Sequence, residues 1–380
     1  MLHFPDPAKL RTRKIVFEDV FPSVDCGTLE QLKELSSKRR VIEEAVNATS
    51  VITEAVAREM SGGLTSRTEQ DLQKLKNYLP LLENFVSHVE MHGSNNKMTR
   101  WVSNLRIQWS SMLAAAPPFS GLMGPKFFQV DNVRFELGLM LFLYAALLRD
   151  RAYDVVTSDL VQSTTLFREA AGVYHYLSHD VIPSFQSQTS GQKPPEASSS
   201  VTTAMSLMCL AEAQAVTVRR AEERQATASL LVKLHSGVGV FVSEAIDSLH
   251  SEGAEVKDFS GRFMEYLSSL KELHELKSKK YLAQDLKSSE RIGIAVGVLR
   301  QALVDAGKKI PGDESWRLIL RKEMDEVADV LRKYENENEI VWHQRISSWD
   351  EVPVPVGSKI LKIVSYSPTR CGGPLVFKLG

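Results

Sequence analysis

Cysteine is scarce in this sequence, and the few cysteines present cannot form a framework. Cys26, Cys209 and Cys371 are the three cysteines in 380 residues, and they lie far apart in the chain. An odd and scattered set predicts neither paired disulfides nor a thiolate metal site. We therefore expect a protein of the reducing cytosol.

The chain also lacks an excess of charge and a long apolar run. Its 46 basic and 47 acidic residues leave a net charge of -1, whereas domains that bind nucleic-acid phosphates usually carry a clear basic excess. The longest apolar run, Leu137 to Leu148, is well short of the about 20 residues that span a bilayer. The N-terminus, MLHFPDPAKLRTRK, has no apolar core of a secretory signal. These absences predict a cytoplasmic protein without a nucleic-acid partner or a membrane span.

Catalytic and metal-binding motifs are missing as well. No GxSxG, P-loop or pair of catalytic carboxylates in a strand-turn context is found. His175 and His179 are four apart on a predicted helix, but no Glu lies between them and no third ligand is identifiable. Gly237 and Gly239 resemble part of a dinucleotide fingerprint, yet the third glycine is absent and the pair lies within a helix, which favours packing. We expect no enzyme, no cofactor, no metal and no small-molecule substrate.

What the sequence does contain is helical periodicity, most clearly between Leu207 and Leu249. Apolar and small residues recur at helical spacing in both halves of this stretch. Almost no linker separates the halves, so they predict an antiparallel helix hairpin. Leu230 falls about 100° from Leu231 by helical geometry, at the flank of the second apolar stripe. The residues of that stripe are Leu231, Leu234, Val238, Phe241, Val242, Ala245 and Leu249.

Similar patterns predict helices along most of the chain. The most apolar of them, Asn132 to Tyr153, is expected at the centre of the core. Pro80 should kink or split the helix that contains it, and Gly293 and Gly297, four residues apart, indicate close helix packing. The predicted helical segments are Thr28 to Met60, Leu72 to Val86, Trp101 to Met112, Asn132 to Tyr153, Leu160 to Phe185, Phe259 to Leu286, Ile292 to Ala306 and Trp316 to Asn336.

The order and length of these helices predict a nearly all-helical fold in which successive antiparallel hairpins stack like a solenoid. No internal repeat is visible, and no shift in composition separates two domains. Beyond Glu339 the pattern changes to IVWHQRI and VPVPVGSKILKIV, which predict extended chain. We therefore predict one domain, residues 1–366, followed by a short C-terminal tail, residues 367–380. The polar segment Gln186 to Ser200 is predicted to be a surface loop.

Basic residues form three short clusters. Such clusters are more often solvated helix faces than ligand sites. The alternative is an acidic partner or an anionic membrane surface, where each cation near the lipid contributes about 1 kcal/mol. Weak peripheral binding to an anionic membrane therefore stays open. The clusters are Lys38, Arg39 and Arg40, then Arg219, Arg220 and Arg224, then Lys277, Lys279 and Lys280.

The predicted hairpin also resembles a known family. LAEAQAVTVRRAEE followed by LLVKLHSGVGVF resembles the signature of the Bro-domain family, whose ESCRT-associated members include Alix-like and Brox-type proteins. The Brox-type subgroup is the more similar. FELGLMLFLYAALL, FREAAGVYHYLSHDVIP and NENEIVWHQRI resemble family positions in the same order. The resemblance thus covers most of the chain, and the hairpin motif is its most specific part.

This resemblance implies an all-α, elongated, banana-shaped domain with tetratricopeptide-like hairpins and an extended C-terminal segment running back over it. It implies a non-enzymatic adaptor of the endosomal ESCRT pathway, cytoplasmic and peripherally associated with endosomes. The partner would be the C-terminal amphipathic helix of an ESCRT-III subunit, bound in a surface groove. Carried over by position, the contacting residues would be Leu230 and Leu234, with Arg220 as a basic residue nearby.

Two positions depart from the family pattern. Thr217 stands where Alix-like members carry a phenylalanine, although Brox-type members also have threonine there, which predicts weaker ESCRT-III binding. Cys371 is too far from Gly380 to be the prenylation site of Brox-type proteins, so lipid anchoring is not expected. The rival interpretations are a helical scaffold, or a peripheral membrane-binding protein, that has lost the ESCRT-III contact.

Overall fold

Helices dominate the computed structural model, which describes residues 1–49, 66–92, 96–115, 125–186, 192–250, 258–368 and 377–380. This confirms the predicted all-α fold class. The helices are α1 Cys26–Thr49, α2 Arg67–Met91, α3 Asn96–Asn104, α4 Val133–Val155, α5 Leu160–Tyr176, α6 Ile182–Gln186, α7 Ser199–Glu223, α8 Ala228–His250, α9 Gly261–Ser288, α10 Ile292–Gly307 and α11 Glu314–Glu337. The shorter elements are 3-10 turns at Asp6–Ala8, Pro195–Ala197 and Trp349–Glu351, π-helical turns at Leu177–Val181 and Asn338–Trp342, and the antiparallel strands β1 Gln108–Ser110 and β2 Phe127–Gln129.

Helices that follow one another in the chain are also neighbours in space. α4 packs on α2 and α5, α5 packs on α7, and each helix from α7 to α11 packs on the next. This order confirms the predicted stack of hairpins. α4 is buried on nearly all sides within the hydrophobic core, as its uniformly apolar sequence predicts. The Asn132 side chain caps it by accepting a hydrogen bond from the Arg134 N–H at 2.8 Å.

α7 and α8 form the hairpin predicted between Leu207 and Leu249. They are joined by residues 224–227, where Gln225 adopts a left-handed backbone with φ of 53°. The predicted apolar stripe of α8 is buried throughout. By length and composition both helices could cross a membrane, but 83% of the apolar window of α7 and 56% of that of α8 lie inside the protein. Burial in the core therefore accounts for their apolar character.

α2 runs through Pro80, so the proline does not split the helix, and the alternative, a kink at this position, stays a prediction. One local prediction is wrong, and a tertiary contact explains it. Trp109 lies in β1 and not in a third long helix. Its indole N–H donates to Glu136 Oε2 at 2.7 Å, a buried bond that no helical pattern could anticipate. The predicted end of the first helix at Met60 lies outside the described residues.

The chain from His343 to Tyr366, here called the strap, is extended and runs back over the helical stack. A second prediction is corrected by this segment, because the close neighbour of Gly293 and Gly297 is the strap and not another helix. A Cβ at Gly293 would overlap a strap carbonyl oxygen, and one at Gly297 would lie 2.8 Å from another. The strap backbone is tied to α10, α8 and α5 by the N–H groups of Ser347, Ser358 and Val364, which donate to the carbonyls of Gly293, Lys233 and Arg168 at 3.3, 2.9 and 3.1 Å.

Part of the predicted C-terminal tail packs on the body of the protein. Phe377 is buried, and its ring lies 5.3 Å from that of Phe85 in an edge-to-face arrangement. Leu379 forms an antiparallel bridge with Ser23. The described end of the chain, residues 377–380, therefore contributes to the core, while the boundary at residue 366 stays a prediction.

Candidate partner-binding surface

The surface around Leu230 is organised by the strap. Gly237 of α8 lies beneath the strap, since a Cβ there would overlap the carbonyl oxygen of Ser358. Leu230 precedes Gly237 by seven residues, which places it about 20° from the same helix face and roughly 10 Å along the axis. Its side chain is 46% exposed. Leu230 is thus the apolar residue that the core leaves over, as its position at the flank of the stripe predicts.

Thr217 lies beside Leu230 on the neighbouring helix. Gln214 Nε2 donates to the Leu234 carbonyl at 2.8 Å, which marks the register of the antiparallel helices α7 and α8. Thr217 lies three residues beyond Gln214 on α7, and Leu230 lies about one turn before Leu234 on α8. The antiparallel register therefore brings Thr217 opposite Leu230. Thr217 is partly exposed, and its Oγ1 donates to the Ala213 carbonyl at 3.0 Å. Its hydroxyl is therefore satisfied within its own helix.

Val161 of α5 completes the same surface on the far side of Thr217. Gly172 lies beneath the strap as Gly237 does, and Val161 precedes it by eleven residues, again about 20° from the same helix face. Contacts between α5 and α7 show that the two helices are antiparallel, which brings Val161 to the level of Thr217. The Val161 side chain is 53% exposed. We call Val161, Thr217 and Leu230 the row.

The length of the row matches a short helix. Adjacent packed helices lie about 8–10 Å apart, so three of them set a span of about 16–20 Å. A helix of about 11–13 residues, at 1.5 Å per residue, has that length. The strap runs alongside and adds exposed apolar side chains at Val356 and Ile360. The row is thus an apolar surface with a raised border on one side.

Several cations near the row form no ion pair within the described chain. Among the acidic residues nearby, Glu223 pairs with Arg219 at 3.0 Å, Glu244 pairs with Lys359 at 2.5 Å, and the Asp159 carboxylate caps the N-terminus of α5. Arg168 Nε instead donates to a strap carbonyl at 2.8 Å. Uncompensated cations beside apolar side chains favour an acidic amphipathic partner. Within the described part of the chain, the cations near the row that form no ion pair are Arg168, Arg220, Lys233 and Lys362.

The four residues singled out in the sequence do not all reach this surface. Leu230 and Thr217 do, and Arg220 is partly exposed in the last turn of α7 beside them. Leu234 is 4% exposed and belongs to the core stripe of α8. Because it lies four residues beyond Leu230, helical geometry turns it about 40° toward α7 and into the core. A partner on the described surface reaches little of its side chain.

Two of the three basic clusters are not free surface charges. Arg39 is fully buried, and its Nε donates to Glu136 Oε1 at 2.5 Å. Lys279 pairs with Asp305 at 2.9 Å, and Lys280 pairs with Glu323. These side chains join helices together, so a membrane surface would have to rely mainly on the cluster at the end of α7.

A buried polar network lies beneath the hairpin. His235 Nε2 lies 3.1 Å from Glu222 Oε1, and its Nδ1 lies 3.0 Å from His274 Nδ1. A carboxylate only accepts, so His235 carries its proton on Nε2 and accepts at Nδ1 from His274. Burial lowers the pKa of both imidazoles. Burial alone would raise the pKa of Glu222, but the bond from His235 and the charge of Lys277 lower it to about 2.

No chemistry follows from the other polar sites. His179 Nδ1 lies 3.0 Å from the His175 carbonyl and 2.7 Å from Ser178 Oγ, so the pair satisfies its own helix. The described residues contain no group of three metal-ligating side chains. A cavity of about 500 Å³ between α2, α3 and α4 has Glu90 and Arg134 in its wall, and these two charges pair with each other. The row is the surface with the clearest binding character.

Val161 and Gln214 were not identified from the sequence as part of this surface. Val161 lies in no predicted apolar stripe, and Gln214 is a polar residue within the helical pattern of α7 to which the sequence assigns no role. The available signal was the set of glycines within helices, because each of Gly172, Gly237 and Gly293 marks a crossing of the strap. These glycines can be interpreted in this way only once the path of the strap is known.

Comparison with known proteins agrees with the fold. A family model described as a BRO1-like domain matches residues 39–374. The BRO1 domain-containing protein BROX of Pongo abelii is 24% identical over 303 residues, which is 76% of this chain and 71% of that protein. The pH-response regulator protein palA/RIM20 of Emericella nidulans is 25% identical over 222 residues, or 56% of this chain and 25% of that protein.

Solved structures show the same architecture at low identity. A structure described as an ALIX BRO1 CHMP4C complex superposes with a TM-score of 0.64 and 16% identity, covering 98% of this chain and 96% of that one. A second, described as the structure basis for endosomal targeting by the Bro1 domain, gives a TM-score of 0.57 at 15% identity, covering 91% of each chain. At such identities the likeness concerns the fold.

Proposed function

Because the chain belongs to the BRO1-like domain family, we propose that it is a non-enzymatic adaptor of the ESCRT pathway. In this proposal the row binds the C-terminal amphipathic helix of an ESCRT-III subunit. The solved relative described as a complex of the ALIX BRO1 domain with CHMP4C supports this class of partner. The protein would act in the cytoplasm at endosomes, in line with the endosomal targeting described for another relative.

The observation that carries the proposal is the arrangement of Val161, Thr217 and Leu230. Two half-exposed aliphatic side chains stand on either side of Thr217, across three helices that the core already fixes. An amphipathic helix presents apolar residues at positions i, i+3, i+4 and i+7, which suits a surface of this length. Acidic residues on its flanks would pair with the uncompensated cations and speed association.

The direct test is Leu230→Asp, titrated with an ESCRT-III C-terminal peptide. A charge in place of the larger aliphatic side chain of the row should cost about 2 kcal/mol of binding, or roughly thirtyfold in affinity. Circular dichroism should not change, because the side chain is half exposed. Leu318→Asp is the matched control, since Leu318 of α11 is 58% exposed and lies away from the row. Equal affinities of the two variants would refute the assignment.

Peripheral membrane binding through Arg219, Arg220 and Arg224 is the competing function. The observation in its favour is that Arg220 and Arg224 of this cluster form no ion pair within the described chain, whereas Arg39 is buried and Lys279 and Lys280 are paired. Liposome sedimentation separates the two, since attraction of exposed cations to anionic lipid fades as salt screens it. Salt-sensitive sedimentation together with no peptide binding would favour the membrane.

A further inference from the structure

One side chain holds the strap over the hairpin that carries the row. Gln214 is fully buried, and its Nε2 donates to the Leu234 carbonyl at 2.8 Å and to the Ser358 carbonyl at 2.9 Å. Its Oε1 accepts from the Ile360 N–H at 3.1 Å. A single amide therefore links α7, α8 and two alternate residues of the strap.

Glycines on α8 and on the strap let the two backbones approach each other closely around this amide. At Gly237 a Cβ would overlap both the Ser358 carbonyl and the Gln214 amide nitrogen. On the strap itself, a Cβ at Gly357 would lie 2.8 Å from Ser236 and from Val240. The backbones of α8 and the strap are thus as close as glycine allows. Contact this close fixes the height of the strap, and the bonds of Gln214 fix its position along the groove.

The register of the strap decides which of its side chains stand beside the row. Ile360 and Lys362 point outward, whereas Leu361 between them packs against a small apolar cluster that includes Phe167 and Val216. Side chains of an extended chain alternate, so a slip of one residue would expose Leu361 and turn its neighbours inward. The outward apolar residue and the outward cation both depend on the present register.

We propose that Gln214 is a positioning residue, which fixes the register of the strap and through it the border of the partner-binding row. The partner-binding part of this inference rests on the proposed function, whereas the register part does not. Gln214 would not touch the partner, because it is covered by the strap. Its effect on binding would pass through Ile360 and Lys362.

The register is tested by amide hydrogen exchange in wild type and in Gln214→Ala. The informative amides are those of Ser358 and Val364, because their acceptors, the carbonyls of Lys233 and Arg168, are untouched by the substitution. If Gln214 sets the register, both should exchange at least about tenfold faster, since the strap loses its two hydrogen bonds to Gln214, at Ser358 and Ile360. Faster exchange at Ile360 alone would mean a local bond and would overturn the proposal.

Gly237→Ala provides a second route that leaves Gln214 in place. The added methyl would push on the strap carbonyl and the Gln214 amide, so the same amides should exchange faster although alanine suits a helix better than glycine. Gly239→Ala on the same helix is the matched control, because its Cβ would meet only a side-chain atom of Glu275 at 3.8 Å. Equal exchange in the two alanine variants would contradict the proposal.

Binding of the ESCRT-III tail peptide tests the second part of the proposal, in which the register of the strap affects the partner-binding row. Both Gln214→Ala and Gly237→Ala should weaken the affinity for the peptide about three- to tenfold, which is less than the effect of Leu230→Asp. The reason is that these two substitutions change the border formed by the strap but leave the apolar side chains of the row in place. Faster amide exchange in the strap with unchanged peptide affinity would mean that Gln214 only stabilises the strap. That result would overturn its positioning role. If wild type itself does not bind the peptide, the proposed function fails, while the exchange experiment still decides the register.

Discussion

The row and the outer face of α11 both expose large apolar side chains, but in different surroundings. Leu318 on α11 is 58% exposed, more than Leu230 at 46%. It stands on a single helix, where some charges are paired, such as Glu335 with Arg300 at 2.6 Å and Glu337 with Lys287 at 2.5 Å. The cations one turn beyond Leu318, Arg321 and Lys322, form no ion pair within the described chain. This is the solvated outer face expected of the last helix of a stack.

The row differs in its arrangement and not in its degree of exposure. Its three residues come from three neighbouring helices, the strap forms a border, and four of the cations nearby form no ion pair within the described chain. Exposure of a single leucine is ordinary for a soluble protein. Recurrence of exposed apolar side chains across several elements that the core fixes, beside the border of the strap, is what indicates a contact surface.

The largest expected effect separates Leu234 from Leu230 within α8. Leu234→Ala should lower the free energy of unfolding by about 2–5 kcal/mol, because it removes a buried side chain and leaves a cavity. Leu230→Ala should change it by less than about 1 kcal/mol, since the side chain is half exposed. Urea denaturation of both variants measures the difference. Comparable losses of unfolding free energy in the two variants would place Leu230 in the core and contradict its assignment to the row.

Acid should destabilise the protein through the histidines beneath the hairpin. Because burial lowers the pKa of His235 and His274 in the folded state, the unfolded chain binds more protons below its histidine pKa of about 6.5. Stability is therefore complete above about pH 6.5 and is lost as the pH falls toward the lowered values, by up to roughly 1.4 kcal/mol per pH unit for each histidine. Urea denaturation at several pH values measures the slope.

His274→Gln is the variant that isolates this effect. It should flatten the slope relative to wild type, since one of the two imidazoles beneath the hairpin is removed. His92→Gln is the control, because His92 is exposed at the end of α2. A slope that His274→Gln leaves unchanged would assign the acid sensitivity to other groups.

Val161→Asp should weaken the binding of an ESCRT-III tail peptide by about 1–2 kcal/mol, or five- to thirtyfold. The reason is the same as for Leu230, with a smaller aliphatic side chain at one end of the row. Isothermal titration calorimetry measures the loss. Binding as tight as that of wild type would confine the contact to α7 and α8.

Thr217→Phe gives the smallest expected effect and the opposite sign. A phenylalanine between Val161 and Leu230 would make the row continuous and should tighten binding by about 1 kcal/mol, roughly fivefold. The same titration, with the stability of the variant checked by thermal unfolding, measures it. Weaker binding would mean that the partner needs the space that Thr217 leaves.

Much of the fold could be predicted because helical periodicity is a local signal. The stripe of α8, the central place of α4 and the order of stacking follow from spacing alone. Trp109 and Gly293 could not be placed correctly, since the partner that holds each of them lies 27 or about 52 residues away, in Glu136 and Arg345. Long-range contacts decide such positions, and periodicity carries no information about them.

The candidate site was predictable only in part for the same reason. The flank position of Leu230 follows from the stripe, and the resemblance to the Bro-domain family points to the same hairpin. Leu234 was assigned to both the core and the contact, and its burial places it in the core although Leu230, only about 40° away around the helix, is half exposed. Val161 joins the row through the packing of α5 on α7, which the sequence of α5 alone does not reveal.

The central claim is that the row, and not the outer face of α11, receives the helix of a partner. Methyl NMR of the protein with labelled valine and leucine, titrated with an ESCRT-III C-terminal peptide, tests it without any substitution. We expect the methyl signals of Val161 and Leu230 to shift together along one binding curve, while the methyl signals of Leu318 do not shift. A shift of Leu318 with Val161 and Leu230 unchanged would contradict it.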